Sequence, residues 1–140
     1  NIPTLNRVCI ELSQKGALGV ILNWWIMAGE LNPSWAGGHG GGEETAAMLA
    51  VDPKLVHFDH LREKELIHDL GEAFPTTGFD KVAYKGIGIP MPRDVIRYTS
   101  NGWIGPDDPK DATESWGKEM LTAVADYIVA FIIDFDAVRI

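Results

Sequence analysis

The sequence predicts an α/β fold, with a parallel-type sheet flanked by helices. Two patterns lead there. An amphipathic helix near the start runs into a short apolar stretch without polar alternation, the pattern of a strand covered on both faces. A long helix with one apolar face then lies near the end of the chain. The 140 residues amount to about one domain. With 46% hydrophobic and 23% charged residues, wholesale disorder is excluded. The sequence carries no internal repeat, no low-complexity tract and no sign of a second domain, so residues 1–140 are treated as a single unit.

Each element follows from local pattern. Over residues 3–15, Leu5, Val8, Cys9 and Leu12 recur at helical steps, Pro3 suits a first turn and Gly16 a stop. Residues 18–25 (LGVILNWW) are the expected buried strand, and residues 28–42, with Pro33 and a run of glycines, are a loop. Glu43 to Ala50 reads as a helix ended by Asp52-Pro53, and Asp59 to Leu70 as a further helix. Residues 75–110 form a long irregular segment with short strands at Lys81 to Tyr84 and Ile96 to Thr99; such lengths are usually functional or interfacial. Asp111 and Glu114 make a capping-box-like start for the last helix. Its face is Trp116, Met120, Val124, Tyr127 and Phe131, with Leu121, Ile128 and Ile132 beside it. Asp134 to Ile140 is a tail read as an edge strand.

Charge and composition remove whole classes of function. A net charge of −8 argues against nucleic acid and anionic membranes, since 12 scattered Lys and Arg cannot build a basic face. The single cysteine, Cys9, excludes an intrachain disulfide framework and reads as a small buried hydrophobe on the first helix. No apolar run reaches membrane-spanning length and the first residues lack the shape of a signal peptide, so a cytoplasmic location is expected.

The densest chemical signal is Trp35-Ala-Gly-Gly-His39-Gly-Gly-Gly-Glu43-Glu44-Thr45. A glycine loop enters a helix, where free N–H groups and a partial positive charge collect. A histidine there can act as acid, base or metal ligand, and a carboxylate can orient it, bind a metal or shuttle a proton. Gly40 is where backbone can approach a substrate closely, and Trp35 suits a lid over a small planar one. The plainer reading is a turn followed by two acids favoured by the helix dipole. His39-Gly-Gly-Gly also matches an esterase oxyanion element, but no G-x-S-x-G accompanies it. A phosphate loop would end in Gly-Lys-Ser/Thr, where this one ends in Gly-Glu-Glu.

Other candidates are weaker. His57, Asp59, His60 and His68 could offer a metal two histidines three residues apart, yet Arg62, Glu63, Lys64 and Glu65 mark a solvated helix face. Trp24-Trp25 ends the expected strand, where α/β sheets bind ligands, though core packing serves as well. Trp103 suits a turn or a subunit contact.

Three stretches resemble the creatininase (creatinine amidohydrolase) family. Residues 38–49 (GHGGGEETAAML) are similar to its HAGE-x-ETS-x-ML motif. Ser100 to Pro106, followed by Asp111-Ala112-Thr113 and Gly117, are similar to its NG-x-x-GDP…AT-x-x-x-G segment. Asn1 resembles the Asn that ends its GHGGN motif. The resemblance implies a parallel sheet flanked by helices, metal-dependent hydrolysis of amide C–N bonds in cyclic or formamide-like substrates, usually two divalent metals per site (Zn, Mn or Fe), and a homo-oligomer, commonly a hexamer. Carried over, His39 matches the catalytic histidine, Glu44 the Glu of ETS with a role toward metal or proton, and Trp35 a substrate-covering tryptophan. The family's Glu after HAG is Gly42 here, with Glu43 one place later, and its Ser after ET is Ala46. The main metal ligands of the family would lie upstream of Asn1. An N-terminal chain or fragment of the same precursor is therefore the expected partner, completing sheet and metal site. Two rival expectations are a non-catalytic subunit of such an oligomer and an unrelated α/β domain.

Overall fold

The structure, a computed structural model, describes residues 2–138. Its helices are α1 (Ile2–Ser13), α2 (Trp24–Leu31), α3 (Gly42–Val51) and α4 (Glu114–Asp136). Its strands are β1 (Thr76–Gly78), β2 (Lys81–Tyr84) and β3 (Ile87–Pro90). The mixture of helix and sheet agrees with the α/β expectation. The sheet among the described residues, however, is antiparallel in the order β1-β2-β3, not parallel. The reason is local: Lys85 and Gly86 both take positive φ, 50° and 81°, which closes a two-residue hairpin, and such a hairpin can join only antiparallel strands. The register then pairs Val82 with Ile89 and Tyr84 with Ile87.

Three short 3-10 turns share one design. Pro33, Pro53 and Pro109 each open a turn, and the preceding Asn32, Asp52 or Asp108 accepts the N–H two residues on. Proline needs no donor there and its φ suits the first turn. The last of these turns occupies Pro109–Asp111, so the cap of α4 is Thr113, whose Oγ1 accepts from Trp116 N at 3.1 Å, and not the expected Asp111.

The core is helical. Ala28 from α2 and Met120 and Val124 from α4 form one buried cluster, against which Trp24, Met27, Trp35 and Trp116 pack. Ala46, Leu49 and Ala112 form another, with Trp116 shared between the two. The α3–α4 crossing is close because Gly117 has no side chain: a Cβ there would lie 1.8 Å from the Ala46 carbonyl oxygen. That apposition fixes the start of α3, and with it the glycine loop, relative to α4.

Several expectations are corrected. Residues 18–23 are extended but pair with no strand, and Trp24-Trp25 begin helix α2 instead of ending a strand. Apolar runs of this length do not distinguish strand from helix by periodicity. No α-helix forms over Asp59 to Leu70. The segment instead lies across residues 98–105: Leu66 bridges Thr99, Ile67 N donates to Tyr98 O at 2.8 Å, and Asn101 Nδ2 donates to Glu63 O at 2.8 Å. Ile96 to Thr99 is not a strand; Val95–Arg97 is a 3-10 turn. The tail is not an edge strand as far as it is described, since α4 continues to Asp136. The readings of Asn1 and of residues 139–140 lie outside the described residues.

Several apolar surfaces are left uncovered. No residue of α1 is buried, and Ile10 is 60% exposed. Leu18, Val20 and Leu22 are exposed along the unpaired segment. The face expected for α4 is buried at Met120 and Val124 only; beyond them Tyr127, Ile132 and Ile133 are exposed. Cys9 is half-buried. No described helix is long and apolar enough to cross a membrane.

Candidate active site

The glycine loop meets a second loop formed by residues 102–107. His39 O accepts from both Ile104 N, at 2.9 Å, and Gly105 N, at 2.8 Å. The contact is backbone on backbone. A Cβ on Gly38 would lie 2.8 Å from Gly105 Cα, and one on Gly40 would lie 2.8 Å from Gly102 O. Gly40 also has φ +68°, a conformation that glycine adopts without strain. Trp103 holds the second loop in shape, its indole N–H shared between Gly105 O at 3.1 Å and Asp107 O at 3.0 Å. Trp103 therefore packs a turn, one of its two expected roles.

His39 projects from this contact half-exposed, its ring edge-on to Phe79 at 5.8 Å. Glu44 Oε2 lies 3.6 Å from His39 Nδ1 and accepts from Gly40 N at 2.8 Å. At 3.6 Å the His39–Glu44 pair is an electrostatic contact, not a hydrogen bond. Glu44 is the third residue of α3 and reaches back over the helix start, as the acid of a capping box does. His39 and Gly40 open on a cavity of about 480 Å³ lined also by His60, Leu61, Arg62, Ser100, Asn101, Gly102 and Trp103. Trp35 is half-buried on the Ala28–Met120–Val124 cluster and does not line that cavity.

Beneath His39 lies a carboxyl pair. Asp107 Oδ2 accepts from Glu43 N at 2.7 Å, so an acid 64 residues away satisfies a free N–H at the start of α3. Gly37, Gly41 and Gly105 make room for it; a Cβ on Gly41 would sit 2.2 Å from Asp107 Oδ1. The Glu43 side chain, 2% exposed, lies in the same box, with Glu43 Oε1 and Asp107 Oδ1 both buried and unpartnered among the described residues. Burial pushes the Glu43 carboxyl up to about 7, and the charges of Asp107 and Glu44 push the same way. Asp107 is the residue of this site that the sequence reading did not single out; its one signal is its place directly after Gly105-Pro106 in the second motif.

The histidine cluster does not assemble. His57 and His60 stack at 5.5 Å in a 3-10 turn, His60 pairs with Asp59 at 3.5 Å, and His68 Nδ1 accepts from Thr76 N at 3.0 Å in another part of the fold. Among the described residues no three His, Cys, Asp or Glu side chains come together to hold a metal. His39 and Glu44 alone do not supply the donor set of a two-metal centre.

A family model described as creatininase, creatinine amidohydrolase, matches residues 1–132. No curated protein and no solved structure matches the chain.

The raised Glu43 carboxyl makes stability depend on pH. Between its ordinary value of 4.5 and about 7 the folded protein keeps a proton that the unfolded chain has lost. Stability from this group is full below the lower value and is lost as pH rises through the upper. Glu43→Gln stays neutral throughout. In urea titrations from about pH 5 to about pH 8, wild type should lose stability relative to Glu43→Gln. A constant difference between the two across that range would contradict the assignment.

Proposed function

Because the chain belongs to the creatininase family, we propose that it hydrolyses an amide C–N bond in a small cyclic amide or formamide-like substrate. The observation that carries this reading is the placement of His39. Its backbone is held by two N–H groups of the second loop, its ring lies at the mouth of a cavity, and Glu44 lies on its Nδ1 side.

Hydrolysis of an amide needs water to add to the carbonyl carbon, negative charge to collect on the carbonyl oxygen, and a proton to reach the leaving nitrogen. His39 is assigned the last of these, with Nε2 donating the proton. Glu44 is a positioning residue: its carboxylate, held by Gly40 N, lies on the Nδ1 side of the ring. Gly40 lets the substrate come against the backbone. Trp35 packs on the helical core away from this cavity, so the substrate-covering role expected for it is not assigned.

The family implies divalent metal, for which Zn, Mn and Fe suit oxygen and imidazole donors. The described residues do not fit that centre by themselves, so the donors are assigned to further polypeptide. The uncovered apolar surface supports the same view: α1 exposes Ile10, the unpaired extended segment Val20, and the distal half of α4 Ile133. We assign these surfaces to contacts with the N-terminal portion of the same precursor, within a homo-oligomer. Native mass spectrometry of the assembled protein should find that second polypeptide in stoichiometric amount; an assembly of this chain alone would contradict the assignment.

His39→Ala should lower kcat for amide hydrolysis by about 10²–10⁴-fold and leave the circular dichroism spectrum unchanged. Glu44→Gln should lower kcat by a smaller factor than His39→Ala and leave KM nearly unchanged. A His39→Ala protein that turns over amides at the wild-type rate would overturn the role.

A further inference from the structure

The cavity beside His39 contains a charge that no described residue pairs. Arg62 lines it. The other described arginines are all paired with carboxylates: Arg7 with Glu11, and Arg93 and Arg97 both with Asp69. Arg62 makes no ion pair with any described residue, although acids surround it in sequence. Those acids are engaged elsewhere. Asp59 lies 3.5 Å from His60, Glu63 lies 3.3 Å from Lys110, and Glu65 accepts from Ser100 Oγ at 2.5 Å.

The remaining polar groups of the cavity wall are also occupied. Asn101 Oδ1 accepts from Trp103 N at 3.1 Å while its Nδ2 holds Glu63 O. The neighbouring Lys64 spends its ammonium on Gly105 O, at 2.6 Å. Arg62 is thus the exposed cation of this cavity that has no carboxylate partner among the described residues, in a chain of net charge −8.

We infer that the cavity takes an amide substrate that also carries an anionic group, a carboxylate or a phosphate, and that Arg62 binds that group. The inference rests on the amidohydrolase reading above and names its substrate class. A guanidinium presents a planar fork that matches either anion with two parallel hydrogen bonds. His39 and Arg62 border one cavity of about 480 Å³, room for a small ring with an acidic arm. A neutral cyclic amide would leave Arg62 with water alone.

Calorimetry on the assembled protein with hydantoin and hydantoin-5-acetate tests this, because the two share a cyclic amide and differ by the acidic arm. Wild type should bind hydantoin-5-acetate about fivefold or more tightly than hydantoin. Arg62→Gln should abolish the difference and Arg62→Lys should keep part of it. Competition by acetate against inorganic phosphate then tells which anion the site prefers. Equal affinity for the two hydantoins, binding of neither, or a preference that survives Arg62→Gln would overturn the inference. The readout is binding, so it separates from turnover. A protein that discriminates but never hydrolyses keeps the anion subsite and loses the amidohydrolase reading. One that hydrolyses without discriminating does the reverse.

Discussion

Residues 37–41 and 102–107 lie against each other with almost no side chains between them. Gly38 faces Gly105, Gly40 faces Gly102 and the Trp103 backbone, and Gly41 faces the Asp107 carboxyl. Carbonyl and N–H groups close the gap, through His39 O to Ile104 N and Gly105 N. Backbone contacts of this kind are short and directional, and adding a single methyl to either side would push the loops apart. The rest of the site depends on this apposition. It fixes the His39 backbone while leaving its ring half-exposed, it places the Asp107 carboxyl at the start of α3, and it forms the floor of the cavity.

The same apposition has an electrostatic cost. The Asp107 carboxylate satisfies a free N–H at the start of α3. Glu43 must then share a box with that charge and with Glu44, away from water. The fold resolves the conflict by holding Glu43 neutral up to about pH 7. Glu44 escapes the box by turning toward Gly40 and His39. Two adjacent glutamates therefore have different work: Glu43 is buried beneath the loop, and Glu44 faces the reactive ring.

Local patterns were legible where the determinant is short-range. The hydrophobic face at Met120 and Val124, the glycine stop after α1, the helix after the glycine loop and the strand at Lys81 to Tyr84 can all be read from neighbouring residues. The glycine loop with His39 and Glu44 was legible as a candidate site for the same reason. The failures have one cause, dependence on distant partners. Residues 18–23 read as a strand, but a strand needs a neighbour that the described residues do not provide. Asp59 to Leu70 reads as a helix, but its backbone groups are taken by Tyr98, Thr76 and Asn101. Asp107 was invisible because its partner is an N–H 64 residues earlier. Arg62 read as part of a solvated face, and it is exposed; what the sequence could not give is that the path of the chain brings it to the His39 cavity.

The central claim is that His39 is held by the second loop through its own carbonyl. Amide hydrogen exchange at Ile104 and Gly105 tests this most directly, since both N–H groups donate to His39 O. The account predicts that both amides exchange about a hundredfold or more slowly than in an unstructured chain, and with closely matched rates. Fast, unprotected exchange at these two positions in the folded protein would contradict it, because His39 would then be carried on a free loop.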